Sequence, residues 1–149
     1  MIKRLLSTHD SLAAFILRVT LGLVIFPHGA QKLFGAFGGH GFSGTMDFLT
    51  GGAGLPWIVA LIVIFTEAIG SLLLVIGLLG RVWAFLIGCV MAGAMLTAHL
   101  SNGFFMNWTG QQKGEGFEYH LLALGIVLAI LIIGSGRYSV DLALQNRRR

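Results

Sequence analysis

The chain of 149 residues is long enough for one domain, with 56% hydrophobic and 11% charged residues. Soluble proteins carry about 45–50% and about 25% respectively. A mean hydropathy of +0.85 therefore argues against a soluble globular enzyme, which could not cover its surface, and against a disordered tail. The single cysteine, Cys89, excludes an intrachain disulfide and a C-x-x-C redox pair. The chain reads as a membrane protein.

A membrane-spanning helix needs about 20 mostly apolar residues, because lipid offers the backbone no hydrogen-bond partner. Four segments qualify. The first, residues 11–34, begins at Ser11, continues through Pro27 to Phe34, and carries Arg18, His28 and Lys32. Arg18 inside this run, with no small-x-small site after it, argues for a retained helix rather than a signal peptide. A Gly-rich connection, Gly35 to Pro56, follows. Its Gly39-His40-Gly41-Phe42-Ser43-Gly44 matches G-x-G-x-x-G, but without a preceding strand the match reads as chance.

The second segment, 57–80, is interrupted only by Glu67. Arg81 is the whole turn into the third, 82–100, so these two helices are antiparallel neighbours. Ala84, Gly88 and Ala92 give the third a small-residue face for close packing. A polar loop, Ser101 to Phe117, leads to the fourth segment, 118–136, which opens on Glu118 and whose apolar run ends at Gly134. Ser139 is placed to cap a short surface helix reaching Gln145. The expectation is an all-α, four-transmembrane-helix bundle forming a single domain over residues 1–149.

Four crossings put Lys3, Arg4, Arg81, Arg137, Arg147, Arg148 and Arg149 on one side, and only Lys32 and Lys113 on the other. That is seven against two, so both termini are expected in the cytoplasm. The terminal arginines then lie beside anionic headgroups, which accounts for the net charge of +4 without a nucleic-acid partner.

Ionisable groups in a bilayer cost about 2.5–3.5 kcal/mol each on insertion scales, so each needs a reason. Glu67 lies ten residues from Trp57, about 15 Å along the helix and near the midplane. Arg18 is placed to meet it as a buried ion pair, either neutralising it and fixing register or tuning a proton-handling carboxylate. His28 and Lys32 are four apart on one face, and Arg18 is about 40° from that face, so all three are expected to point inward. His99 closes the third helix and Glu118 opens the fourth. His120, about 200° from Glu118, cannot share its face and is read as interfacial. His9 and His40 read as solvated. A polar pocket in the outer half of the bundle is thus expected, with Glu67, His99 and Glu118 as candidate catalytic groups and Arg18, His28 and Lys32 as ligand-binding groups. Two histidines without paired spacing are weak grounds for haem or another metal, and no metal site is expected.

The segments Arg18-Val19-Thr20-Leu21-Gly22, Phe26-Pro27-His28-Gly29-Ala30-Gln31-Lys32-Leu33-Phe34-Gly35, Gly54-Leu55-Pro56 and Thr66-Glu67 are specific in their order and spacing. So are Gly77-Leu78-Leu79-Gly80-Arg81, Ala98-His99, Asn102-Gly103-Phe104-Phe105, Gly116-Phe117-Glu118-Tyr119 and Gly134-Ser135-Gly136-Arg137-Tyr138-Ser139-Val140-Asp141. Together, from Arg18 to Asp141, they resemble the DoxX family of membrane proteins. The resemblance implies a four-helix bundle in a prokaryotic plasma (inner) membrane, with Arg18, His28, Lys32, Glu67, His99 and Glu118 on the family's recurring polar pattern. It also implies a redox setting. Some relatives are subunits of a thiosulfate:quinone oxidoreductase, others accompany soluble redox enzymes in stress responses, and many have no assigned activity.

Three functions fit. The first is a redox-associated subunit binding a quinone, with His99 or His28 donating to a carbonyl, Lys32 or Arg18 stabilising developing negative charge, and Glu67 or Glu118 relaying protons. The chain shows no flavin, haem or iron–sulfur signature, so electrons would come from a soluble or membrane redox partner protein. The second is a non-enzymatic anchor or scaffold for a redox or stress-response complex, favoured by the short loops. The third is a small-solute carrier, which with four helices would require a homo-oligomer.

Overall fold

The computed structural model describes residues 6–147, so the expectations for Lys3, Arg4, Arg148 and Arg149 lie outside the described residues. Six helices are labelled here: α1 (Leu12–Phe34), α2 (Gly41–Asp47), α3 (Trp57–Ile76), α4 (Gly80–Asn102), α5 (Glu118–Ile133) and α6 (Val140–Asn146). No strand occurs among the described residues.

Local chemistry sets the helix ends. Ser11 Oγ accepts the amide of Ala14 at 3.2 Å to start α1, which runs unbroken through Pro27 and stops at Gly35, in the left-handed region. Gly77, also left-handed, ends α3 four residues before the expected Gly80, and α4 begins at Gly80 after a turn. α1, α3 and α4 are long and apolar enough to cross a bilayer. α5 is shorter than the expected 118–136 span: it has 16 residues, about 24 Å of helix, and closes at Gly134. Three long apolar helices and one shorter apolar helix make a multi-pass membrane protein whose outward apolar side chains contact lipid.

α3 and α4 each contain a π-turn, Thr66–Gly70 and Met95–His99. Such turns insert an extra residue and concentrate at functional sites. Glu67 lies in the first and His99 in the second.

Packing brings backbones close. A Cβ at Gly29 of α1 would lie 2.3 Å from Ala68 N and from the Glu67 carbonyl carbon on α3, and one at Gly22 would lie 2.7 Å from Ser71 O. Gly29→Ala is therefore expected to cost about 3 kcal/mol in reversible unfolding from lipid–detergent micelles. An unchanged unfolding curve would show that α1 and α3 can separate freely there. Between α4 and α5, Ala84 is buried and a Cβ at Gly88 would meet Val127 Cγ1 at 2.9 Å, as the small-residue face predicts. Ala92 is only half-buried. Leu21, Ile25, Leu74, Ile87, Val127 and Ile130 fill the core between these helices.

The chain before α1 and the chain after α5 meet at one end of the bundle. Thr8 N donates to Gln145 Oε1 at 2.9 Å, Gly136 N to Thr8 Oγ1 at 2.7 Å, and Arg137 N to Ser11 O at 3.0 Å. Arg137 Nε also pairs with Asp10 at 2.7 Å, which holds the Asp10 carboxyl below the usual carboxylate range. Ser139 Oγ caps α6 through Leu142 N at 3.1 Å.

Candidate ligand-binding site

The polar groups expected in one pocket occupy separate places. Arg18 does not meet Glu67. Fully buried, it lies at the end of the bundle where the segments before α1 and after α5 meet, and its five N–H donors go to five backbone carbonyls. Nε donates to Ser135 O at 2.6 Å, Nη1 to Leu74 O at 3.3 Å and to Val75 O, and Nη2 to Arg137 O at 3.1 Å and Tyr138 O at 2.8 Å. The guanidinium carbon sits 5.1 Å from the centre of the Phe15 ring. The acceptors come from the C-terminus of α3 and the turn after α5, where helix geometry leaves carbonyls without amides. With every donor used, Arg18 has none left for a ligand.

Beside it, buried Asp141 on α6 takes the amides of Leu79 and Gly80 at 2.8 and 2.9 Å and the Ser135 hydroxyl at 2.5 Å. These bonds hold Leu79 in its left-handed conformation at the start of α4. Sequence reasoning about charge in the membrane passed over Asp141, because it lies beyond the last apolar run. Its place at the end of the Gly134–Asp141 motif was the available signal.

The partner of Glu67 is Lys32. Nζ to Oε2 is 2.5 Å, with the carboxylate side chain 5% exposed and the lysine 27%. Gly29, three residues before Lys32, lies on the α3 backbone at Glu67 and Ala68 and so delivers the lysine to the carboxylate. Ser71 Oγ donates to Glu67 O at 2.5 Å, bracing the π-turn.

Next to Lys32 is a cavity of about 310 Å³ lined by Gln31, Lys32, Gly38, Gly39, His40, Thr45, Phe48 and Leu49. The Gly-rich connection thus folds as structured wall. α2 follows a short 3-10 turn at Ala36–Gly38, and a π-turn at Phe48–Gly52 packs beyond it. Met46 packs with Ala60 and Ile64 of α3. Gly39 has a steric reason to be glycine, since a Cβ there would lie 2.3 Å from Gln31 O. His40 is exposed, as expected of a solvated residue, but borders the cavity.

His28 is exposed and outside this site, which corrects the expectation that it points inward with Lys32. The connection covers Gln31 and Lys32 one turn further on and leaves His28 uncovered. Glu118 also departs from expectation. Its Oε1 accepts Met106 N at 3.0 Å and Trp108 Nε1 at 3.3 Å, so it ties down the loop between α4 and α5. His120, expected at the interface, is instead buried at 6% exposure, with its ring centre 4.3 Å from that of His99. The angular argument that Glu118 and His120 face opposite ways holds; the inward one is His120. His99 Nδ1 is 2.9 Å from the Glu115 carbonyl oxygen. Among the described residues no three His, Cys, Asp or Glu side chains gather as a metal site.

A profile of the DoxX family matches residues 13–100, which carry Arg18, Lys32, Glu67 and His99. The chain is 32% identical over 119 residues to a Bacillus subtilis (strain 168) protein named "Putative oxidoreductase CatD", covering 80% of this chain and 78% of that one. No solved structure matches it. The family match over more than half the chain and the extent of that similarity place the protein in the DoxX family of membrane proteins.

Proposed function

We propose that this protein is a redox-associated membrane component that holds the head of a quinone, or a similar small carbonyl ligand, at Lys32 and Glu67. The observation that carries the reading is an ion pair between buried Glu67 and half-buried Lys32, whose lysine lines a cavity away from the end where the segments before α1 and after α5 meet. The redox name of the Bacillus subtilis relative supports it.

The residues present fit such a ligand. A quinone head offers two carbonyl acceptors on a flat apolar ring. Lys32 uses one of its three N–H donors on Glu67 and keeps two, and Gln31, His40 and Thr45 add polar groups against the apolar walls of Phe48 and Leu49. At about 310 Å³ the cavity is at the lower end of small-molecule sites, so it takes the ring and leaves an isoprenoid tail to the lipid-facing surface. A bound quinone would supply two-electron, two-proton chemistry, with electrons from a partner protein. Lys32 orients a carbonyl through its ammonium hydrogens, and Glu67 Oε2 holds or accepts the proton exchanged there. By the excess of Lys and Arg in the sequence outside the first and last apolar helices, the end where the segments before α1 and after α5 meet is read as cytoplasmic, which puts the cavity nearer the other leaflet.

The test is quinone content, by mass spectrometry, of protein extracted in native lipid discs. Wild type is expected to carry near-stoichiometric quinone, Lys32→Met and Glu67→Gln at least about tenfold less, a loss of about 1.4 kcal/mol or more in binding. His28→Ala is expected to keep it. Quinone no higher than in an unrelated membrane protein would overturn the reading in favour of a non-enzymatic anchor.

A further inference from the structure

The 16 residues of α5 rise about 24 Å, whereas the hydrocarbon core of a bilayer is about 30 Å thick. α5 therefore cannot span that core alone, and any tilt widens the gap. Its Gly134 end meets the interface, because Arg137 and Asp10 are paired and exposed just beyond it. Its Glu118 end then stops about 6 Å inside the hydrocarbon. Phe117 N donates to Gly103 O at 3.2 Å and Glu118 N to Phe104 O at 2.9 Å, so both ends of the loop joining α4 to α5 lie at that depth.

The chemistry of the loop suits that position. Leu96 and Leu100, one turn apart on α4, and Leu121 and Leu122 on α5 are exposed parts of the lipid-facing surface. Phe104 and Phe105 carry that surface onto the loop, with Phe105 65% exposed, and Trp108 follows at 85%. The polar groups between these rings are used internally. Glu118 Oε1 takes Met106 N and Trp108 Nε1, Glu115 Oε2 takes Asn107 N at 2.7 Å, and Met106 O takes Trp108 N at 2.9 Å. In water such pairing is optional, but near hydrocarbon each unpaired amide is costly. Beyond Trp108 the loop turns polar, with Thr109, Gln111, Gln112 and Lys113 exposed at its tip. The order phenylalanine, tryptophan, lysine follows the order hydrocarbon, headgroup, water.

We propose that residues 103–108 enter the lipid interface where α4 leads into α5 and complete the short span of α5. The partner of this surface is the bilayer itself: Phe104 and Phe105 meet the upper acyl chains, and Trp108 sits at the headgroups. Glu118 is the positioning residue. By holding Met106 N and Trp108 Nε1 on one carboxylate oxygen, it fixes the direction of the rings and removes two donors from lipid at once. This role is separate from the ligand site at Lys32, and either can fail without the other.

The experiment uses the full chain in phosphatidylcholine vesicles and reads Trp108 as the fluorescence difference between wild type and Trp108→Phe, which cancels the signal of Trp57 and Trp83. Phospholipid brominated near the top of its acyl chains is expected to quench that difference by at least about half. Aqueous acrylamide is expected to quench it at least about fivefold less than it quenches free tryptophan. Glu118→Ala, which releases the loop, is expected to cut the bromolipid quenching at least about twofold, and Glu118→Gln, which keeps an acceptor oxygen, to restore it. A second measurement is stability in vesicles of increasing acyl-chain length. The double variant Phe105→Gln/Trp108→Gln should match wild type in thin bilayers and fall behind it as the bilayer thickens beyond α5. Trp108 quenched by acrylamide and untouched by brominated lipid would overturn the proposal and leave the rings as a contact for a protein. A double-variant penalty that is the same at every thickness would overturn it as well, and unchanged quenching in Glu118→Ala would reject the positioning role.

Discussion

Arg18→Ala is expected to destabilise the protein by about 4–6 kcal/mol, enough to remove most folded material from the membrane fraction. Five carbonyls lose a charged donor at once, and at the buried end of α3 water cannot replace it. The loss falls on the joint between α1, the end of α3 and the turn leading to α6. Arg18→Lys is expected to recover less than half. A lysine has three hydrogens on one atom and cannot reach acceptors arranged around a planar fork. Unfolding in mixed micelles of rising denaturing-detergent fraction, followed by circular dichroism, measures both. A loss under about 1 kcal/mol in Arg18→Ala would mean that other contacts hold this end together.

The second large effect is an asymmetry in the Lys32–Glu67 pair. Lys32→Met strands a carboxylate that is 5% exposed, and breaking a buried pair in this way costs about 3–5 kcal/mol. Glu67→Leu leaves a lysine whose longer side chain is already 27% exposed and can turn its ammonium toward the interface, so about 1–2 kcal/mol is expected. The double variant should be more stable than Lys32→Met alone, because no isolated charge remains. The same micelle unfolding assay reads all three. Equal losses in the two single variants would show that Lys32 is as enclosed as its partner. A stable double variant that has lost its quinone would separate the pair's role in binding from its role in folding.

Much of the helical layout was legible before any coordinates. α1 runs through Pro27 to Phe34, α3 begins at Trp57, and Ser139 caps α6. Each follows from a local cause: an apolar run, a proline or a capping hydroxyl. The seam between α1 and α3 was less visible. Gly22 and Gly29, seven residues apart, bring the backbones together there, whereas the four-residue spacing of Ala84, Gly88 and Ala92 makes α4 the conspicuous small-residue helix. Phe105 and Trp108 were missed for a different reason. Aromatic rings in a polar loop look like local packing, and only the surroundings show that they stand exposed at the end of α4.

The sequence by itself determined that this is a multi-pass helical membrane protein and that Arg18, Lys32 and Glu67 each need a compensating partner. Both conclusions depend on the cost of exposing polar atoms to lipid, which composition and position along a helix reveal. The tertiary structure decided who pairs with whom. Arg18 took backbone carbonyls, which every residue possesses and which no residue-type pattern can mark as available. Lys32 took Glu67 because Gly29 lets α1 rest on the α3 backbone. His28 stayed outside because the connection that covers Lys32 stops short of it. His120 turned inward where a helical angle could show only that it and Glu118 point apart. Periodicity gives relative directions on one helix, and only contact with the neighbouring elements makes one of them the interior.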